Sequence, residues 1–148
     1  MKIRNVLILA LLGAIIGICS FKKFEQQSNE PWRTDQLIEP SALAAVQNDP
    51  SAKQPIVYSI GYGGGIKNSD LEGPMKDSVN LLKWKSELQN LPRDTNIVIY
   101  CGCCPFEHCP NIRPAFKLLN EMGFTNQKLL NLSHNLKADW IDKGYLAQ

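Results

Sequence analysis

The run Ile97-Val98-Ile99-Tyr100 restricts this 148-residue chain more than any other stretch. A short, β-branched, uninterrupted apolar segment of this kind reads as a buried strand. It ends on Cys101, and Arg113 to Met122 follows as a helix, with Pro114 in its first turn and Ala115, Leu118, Leu119 and Met122 on one face. Gly123 supplies a left-handed stop. Strand, loop and helix in this order make a unit of a parallel sheet, where sites collect at the carboxyl ends of strands.

The rest of the chain repeats the alternation. Ser41 is placed to cap a short helix, Ala42 to Gln47, stopped by Asn48-Asp49-Pro50. Pro55 to Ile60 reads as a second strand leading into the glycines 61, 63, 64 and 65. These glycines lack both the Gly-Lys-Ser/Thr ending and the Gly-x-Gly-x-x-Gly spacing of nucleotide loops, so they read as a strand-exit loop. Ser78 to Asn90 is an amphipathic helix with Leu81, Trp84, Leu88 and Leu91 inward and Asp77 or Ser78 as cap. Lys128 to Leu132 is expected to be the last strand, and Ala138 to Lys143 a closing helical turn around Trp140. The expected fold class is α/β, a single domain with a central parallel sheet flanked by helices.

The amino end reads differently. Lys2 and Arg4 precede thirteen apolar or small residues, Val6 to Ile18, too short for a comfortable membrane span and suited to an export leader. Residues 1–20 are read as a signal peptide or lipoprotein leader, with Cys19 as a lipidation candidate although Ile18 is a poor match before it. Residues 21–35 read as a polar tether and 36–148 as the domain. The expected location is exported, either periplasmic or anchored facing the periplasm, with membrane contact only through the leader. A net charge of +2 leaves no electrostatic footprint for nucleic acid.

With these pieces in place, the chain from about Gln36 to Leu146 resembles the rhodanese-like sulfurtransferase domain. The resemblance rests on Glu39-Pro40-Ser41-Ala42-Leu43, Ile56-Val57-Tyr58-Ser59 and Leu71-Glu72-Gly73-Pro74 with Ser78-Val79-Asn80-Leu81. It continues through Ile97 to Cys101, Arg113 to Phe124, and Trp140-Ile141-Asp142-Lys143-Gly144-Tyr145. It implies a sulfurtransferase with Cys101 as the nucleophile that carries a persulfide. Two departures stand out. The Asp and Arg usual at the end of the first central strand are replaced by Ser59 and Gly61, and Arg113 lies twelve residues after Cys101 where the family has five. His108-Cys109 also lies too close to Arg113 to form a phosphatase loop.

The enlarged loop brings Cys103, Cys104 and Cys109 beside Cys101. In a nucleophile reading, loop N–H groups and the positive end of the following helix lower the Cys101 pKa. Arg113 orients an anionic donor, His108 helps deprotonate a thiol, and Cys109 resolves the persulfide or closes a disulfide. The expected partners are a small sulfane-sulfur donor or a thiol/disulfide protein, with no cofactor. The alternative is a zinc or copper site built from Cys101, Cys103, Cys104, Cys109 and His108, in a non-catalytic metal-binding or interaction module. A structural disulfide pinning the loop is the third reading.

Overall fold

The computed structural model describes residues 29–147; the leader, Cys19 and the first part of the tether lie outside the described residues. Five strands form one sheet: β1 (Leu37–Ile38), β2 (Ile56–Ser59), β3 (Ser69–Leu71), β4 (Ile97–Tyr100) and β5 (Gln127–Leu130). Their order is β1-β5-β4-β2-β3 and every pairing is parallel. Three α-helices, α1 (Pro40–Asn48), α2 (Ser78–Leu88) and α3 (Ile112–Glu121), and a π-helical turn, Lys137–Ile141, connect or follow the strands. The fold is α/β with a central parallel sheet flanked by helices, as the alternation of elements predicts.

β4 lies in the middle of the sheet, paired to β2 through Ile56↔Ile97 to Ser59↔Tyr100 and to β5 through Ile97↔Gln127 to Ile99↔Leu129. All four of its residues are buried, which explains its uninterrupted apolar composition. The period-two alternation of a strand divides them between two cores. Ile97, Ile99 and Cys101 join Trp84 and Leu88 of α2 and Ala115, Phe116 and Leu119 of α3 on one side. Val98 and Tyr100 join Leu43 and Ala44 of α1 and Trp140 on the other. The Tyr100 hydroxyl is also satisfied in the interior, 3.0 Å from Ser69 Oγ and accepting from the Ile66 N–H at 3.4 Å. Alternation therefore aims the Cys101 thiol at the α2/α3 side.

Several boundaries differ from expectation for local reasons. Helix α1 begins at Pro40 with Glu39 in the cap position, so Ser41 lies inside the first turn. Proline suits that first helical position because its missing N–H needs no partner there. The α2 cap is Asp77, whose carboxylate accepts from the Val79 N–H at 2.9 Å. Helix α3 starts one residue early, at Ile112. It ends as expected at Gly123, φ +80°, where the Gly123 and Phe124 N–H groups donate to the Asn120 and Leu119 carbonyls at 3.0 and 3.1 Å. This is the paired bonding that a left-handed glycine allows at a helix terminus. β5 stops at Leu130, because the chain turns there and the Leu132 N–H donates to the Leu130 carbonyl at 2.9 Å.

The end of the segment expected to be a tether belongs to the fold. Trp32 is buried, with ring centroids 6.0 Å from both Phe106 and Phe116. Asn120 Nδ2 donates to the Pro31 carbonyl at 2.7 Å, and Thr34–Gln36 forms a 3-10 turn into β1. One aromatic in a polar run has no period to announce it. Among the described residues no helix is long and apolar enough to cross a membrane.

Candidate functional site

From β2 the chain runs to β3 on its outer side, whereas from β4 it runs to β5 on the opposite side. The connections at the carboxyl ends of β2 and β4 therefore diverge, and the crevice between them is the switch point where parallel sheets hold their sites. Gly61, just past β2, faces Cys101, just past β4: a Cβ at position 61 would collide with Cys101 Sγ. Glycine is required there by close approach to a thiol.

The loop after Cys101 is folded and tied down. Gly102 accepts from the Leu136 N–H at 3.0 Å, and Phe106 donates to the Leu132 carbonyl at 3.0 Å, fixing the loop to the segment that follows β5. A Cβ on Gly102 would lie 2.9 Å from Leu136 Cβ, so this contact too selects glycine. Phe106–His108 forms a single 3-10 turn with Phe106 buried against Trp32, and Cys109 N–H donates to the Phe106 carbonyl at 3.2 Å. The long insertion is thus a packed structure built on Phe106.

All four loop cysteines are free thiols. Cys101 and Cys109 are buried, Cys104 is partly covered and Cys103 is exposed. Cys101 Sγ lies 3.4 Å from Cys103 Sγ, which lies 3.3 Å from Cys104 Sγ. The sulfurs of Cys101, Cys103 and Cys109 all fall within 4.8 Å of one another. Between the two buried sulfurs sits the buried amide of Asn111, which sequence reasoning missed. Its Nδ2 points at Cys101 Sγ at 3.6 Å and Cys109 Sγ at 3.8 Å, while its Oδ1 accepts from the Lys76 N–H at 3.0 Å. The Lys76 bond fixes the amide so that its N–H₂ faces the sulfurs.

The two buried thiols are shifted in opposite directions. Cys101 is pushed well above the usual thiol range, first because it hydrogen-bonds to Cys109 and then because it is buried. Cys109 is lowered, first by that bond from Cys101 and further by the Asn111 backbone N–H, although burial opposes it. Cys104 is raised, chiefly by burial. These shifts run opposite to the expectation that Cys101 is the acidified thiol: Cys101 is raised, and Cys109, next to the start of α3, is lowered.

Arg113 and His108 are not brought to the thiols. Arg113 Nη2 pairs with Glu30 at 2.7 Å and donates to the Glu107 carbonyl at 2.7 Å, and its guanidinium lies 5.6 Å from the Trp32 ring centroid. The buried face of α3 is set by Ile112, Ala115, Phe116 and Leu119. Position 113 falls on the opposite side with exposed Lys117 four residues on, so Arg113 holds the amino segment instead of a donor. His108 is exposed and lines a cavity of about 450 Å³ with Glu30, Trp32, Glu107 and Arg113, a cavity bordered by none of the cysteines. A second cavity, about 400 Å³, opens at the amino ends of the strands beside Pro55, Asn96 and Gln127, the far end of the sheet from the thiols. Ser133, His134 and Asp139 also meet at the surface, but Ser133 Oγ and Asp139 Oδ1 both contact His134 Nδ1, at 3.1 and 3.0 Å. A proton relay needs the two ring nitrogens separately, so this is a capping arrangement and His134 stays without a catalytic role.

No family model matches this chain, and no curated protein is a significant match to it.

Proposed function

We propose that this chain is an exported, rhodanese-like thiol centre that accepts sulfane sulfur or exchanges disulfides through a persulfide or disulfide on Cys101. The observation that carries the reading is the file of sulfurs at the switch point, from exposed Cys103 to buried Cys101 and Cys109, with Asn111 aimed at the inner two. Cys101 is 1% exposed, so a partner meets Cys103 first.

In this reading Cys103 attacks the outer sulfur of a donor R–S–SH. The donor S–S bond breaks, RS⁻ leaves, and Cys103 carries the persulfide. Cys101, at 3.4 Å, then attacks that outer sulfur and passes its proton to the Cys109 thiolate, which frees the Cys103 thiolate. In the last step Cys109 attacks the inner sulfur of the Cys101 persulfide. Sulfide leaves with the proton, and a Cys101–Cys109 disulfide forms that a dithiol partner reduces. A disulfide substrate follows the same path, with a partner thiolate as the leaving group.

No Lys, Arg or His side chain hydrogen-bonds to these sulfurs among the described residues, so the site offers no cationic grip on a small dianion. Thiosulfate is therefore expected to react slowly and a low-molecular-weight persulfide quickly. With the persulfide, Cys103→Ser should slow sulfur uptake by at least about tenfold. Cys101→Ser should strand the sulfur on Cys103, and Cys109→Ser should give a long-lived Cys101 persulfide with no sulfide release. Labelled sulfur counted by mass spectrometry after alkylation reads all three. Rapid thiosulfate turnover that survives Cys103→Ser and Cys109→Ser would refute the scheme.

A further inference from the structure

We infer that Cys101, Cys103 and Cys109 together form a binding site for one copper(I) ion, a role that goes beyond sulfur exchange and stands if that chemistry fails. The inference starts from the mutual spacing of the three sulfurs, all within 4.8 Å of one another. Sulfurs bound to one metal at about 2.3 Å lie somewhat under 4 Å apart, so small side-chain rotations bring these three onto a common ion. Their backbone is already held: Cys101 follows the central strand, and Gly102 and Phe106 are bonded to Leu136 and Leu132. The site needs little ordering when the ion arrives.

The identity of the ion follows from the number and kind of ligands. Structural zinc takes four protein ligands, commonly two separated pairs. Here three sulfurs are mutually close, Cys104 lies beside Cys103 at 3.3 Å but outside that set, and His108 lines a different cavity. Three mutually close soft thiolates suit copper(I). The surroundings agree. Two of the sulfurs are buried in an apolar cluster with Ile60, Phe106 and Ile112, and their side-chain partners are other sulfurs and the Asn111 amide. Asn111 then serves as a positioning residue, its N–H₂ donating to two of the ligand sulfurs. Exposed Cys103 gives a donor or acceptor thiol a point at which to pass the ion.

The test is an anaerobic copper(I) titration of the reduced full chain against a chromogenic copper(I) chelator of known affinity, with X-ray absorption on the loaded protein. The expected result is one copper per chain in an all-sulfur environment of three ligands. Cys103→Ser is expected to weaken binding by at least about tenfold, and Cys104→Ser to change it less than about threefold. Cys103 is exposed, so its variant reports on ligation without disturbing the core; thermal melting of each variant verifies this. The inference is overturned if the wild type withholds no copper from the chelator, if Cys104→Ser weakens binding as much as Cys103→Ser, or if the protein retains zinc through the titration. Sulfur uptake measured on metal-free protein separates failure of this inference from failure of the thiol-exchange reading.

Discussion

Trp32→Ala is expected to destabilise the domain by about 3–5 kcal/mol, the ordinary cost of emptying a buried indole site. For a domain of this size that is on the order of 15 °C in melting temperature. Trp32 is 6% exposed and stands between Phe106 of the cysteine loop and Phe116 of α3, with the Arg113 guanidinium over its ring. Loss of the indole should therefore release the loop as well as lower the melting point. Hydrogen exchange should show the Phe106–Cys109 amides losing protection in the variant, and the alkylation rate of Cys109 should rise. A drop of under about 1 kcal/mol with unchanged loop protection would show that the amino segment merely lies on the surface.

A second large effect is expected at Gly61→Ala. The new methyl would clash with Cys101 Sγ, which must move, and it would also touch Cys101 Cβ and the buried Asn111 amide at 3.5 and 3.7 Å. Overpacking of this kind costs about 1–3 kcal/mol. The specific consequence is displacement of Cys101 from Cys103 and Asn111. Sulfur passed from Cys103 to Cys101 should fall by at least about tenfold, while uptake on Cys103 is kept. Measured side by side, unchanged transfer to Cys101 would mean that the close fit of Gly61 and Cys101 is irrelevant to the chemistry.

The central strand and its terminal cysteine were legible because burial on both faces leaves a plain signature in Ile97 to Tyr100. The direction in which Cys101 points follows from alternation with Ile97 and Ile99. The edge strands were not legible. Leu37–Ile38 is two residues long and Ser69-Asp70-Leu71 is largely polar; each is held by its parallel neighbour, β5 or β2, and not by a pattern of its own. Within the site, the place of Arg113 at the start of the helix leaving the cysteine loop points it toward the thiols only if helical phase is ignored. Starting α3 at Ile112 sets that phase and turns Arg113 toward Glu30. Asn111 was overlooked because its local signal points to a different role. The signal available was a polar side chain at the helix-cap position, yet its amide does not cap α3 and instead bridges Lys76 and two sulfurs from other parts of the loop. The opposed pKa shifts of Cys101 and Cys109 likewise depend on their meeting in space, eight positions apart in sequence.

The most direct measurement of the sulfur-exchange account is a time course on the wild-type protein, metal-free and fully reduced, mixed with a low-molecular-weight persulfide carrying labelled sulfur, quenched by alkylation and mapped by peptide mass spectrometry. The account predicts label first on Cys103, then on Cys101, followed by a Cys101–Cys109 disulfide that appears together with free sulfide. Label arriving on all four cysteines at equal rates, or settling on Cys104 while Cys101 and Cys109 stay reduced, would contradict it.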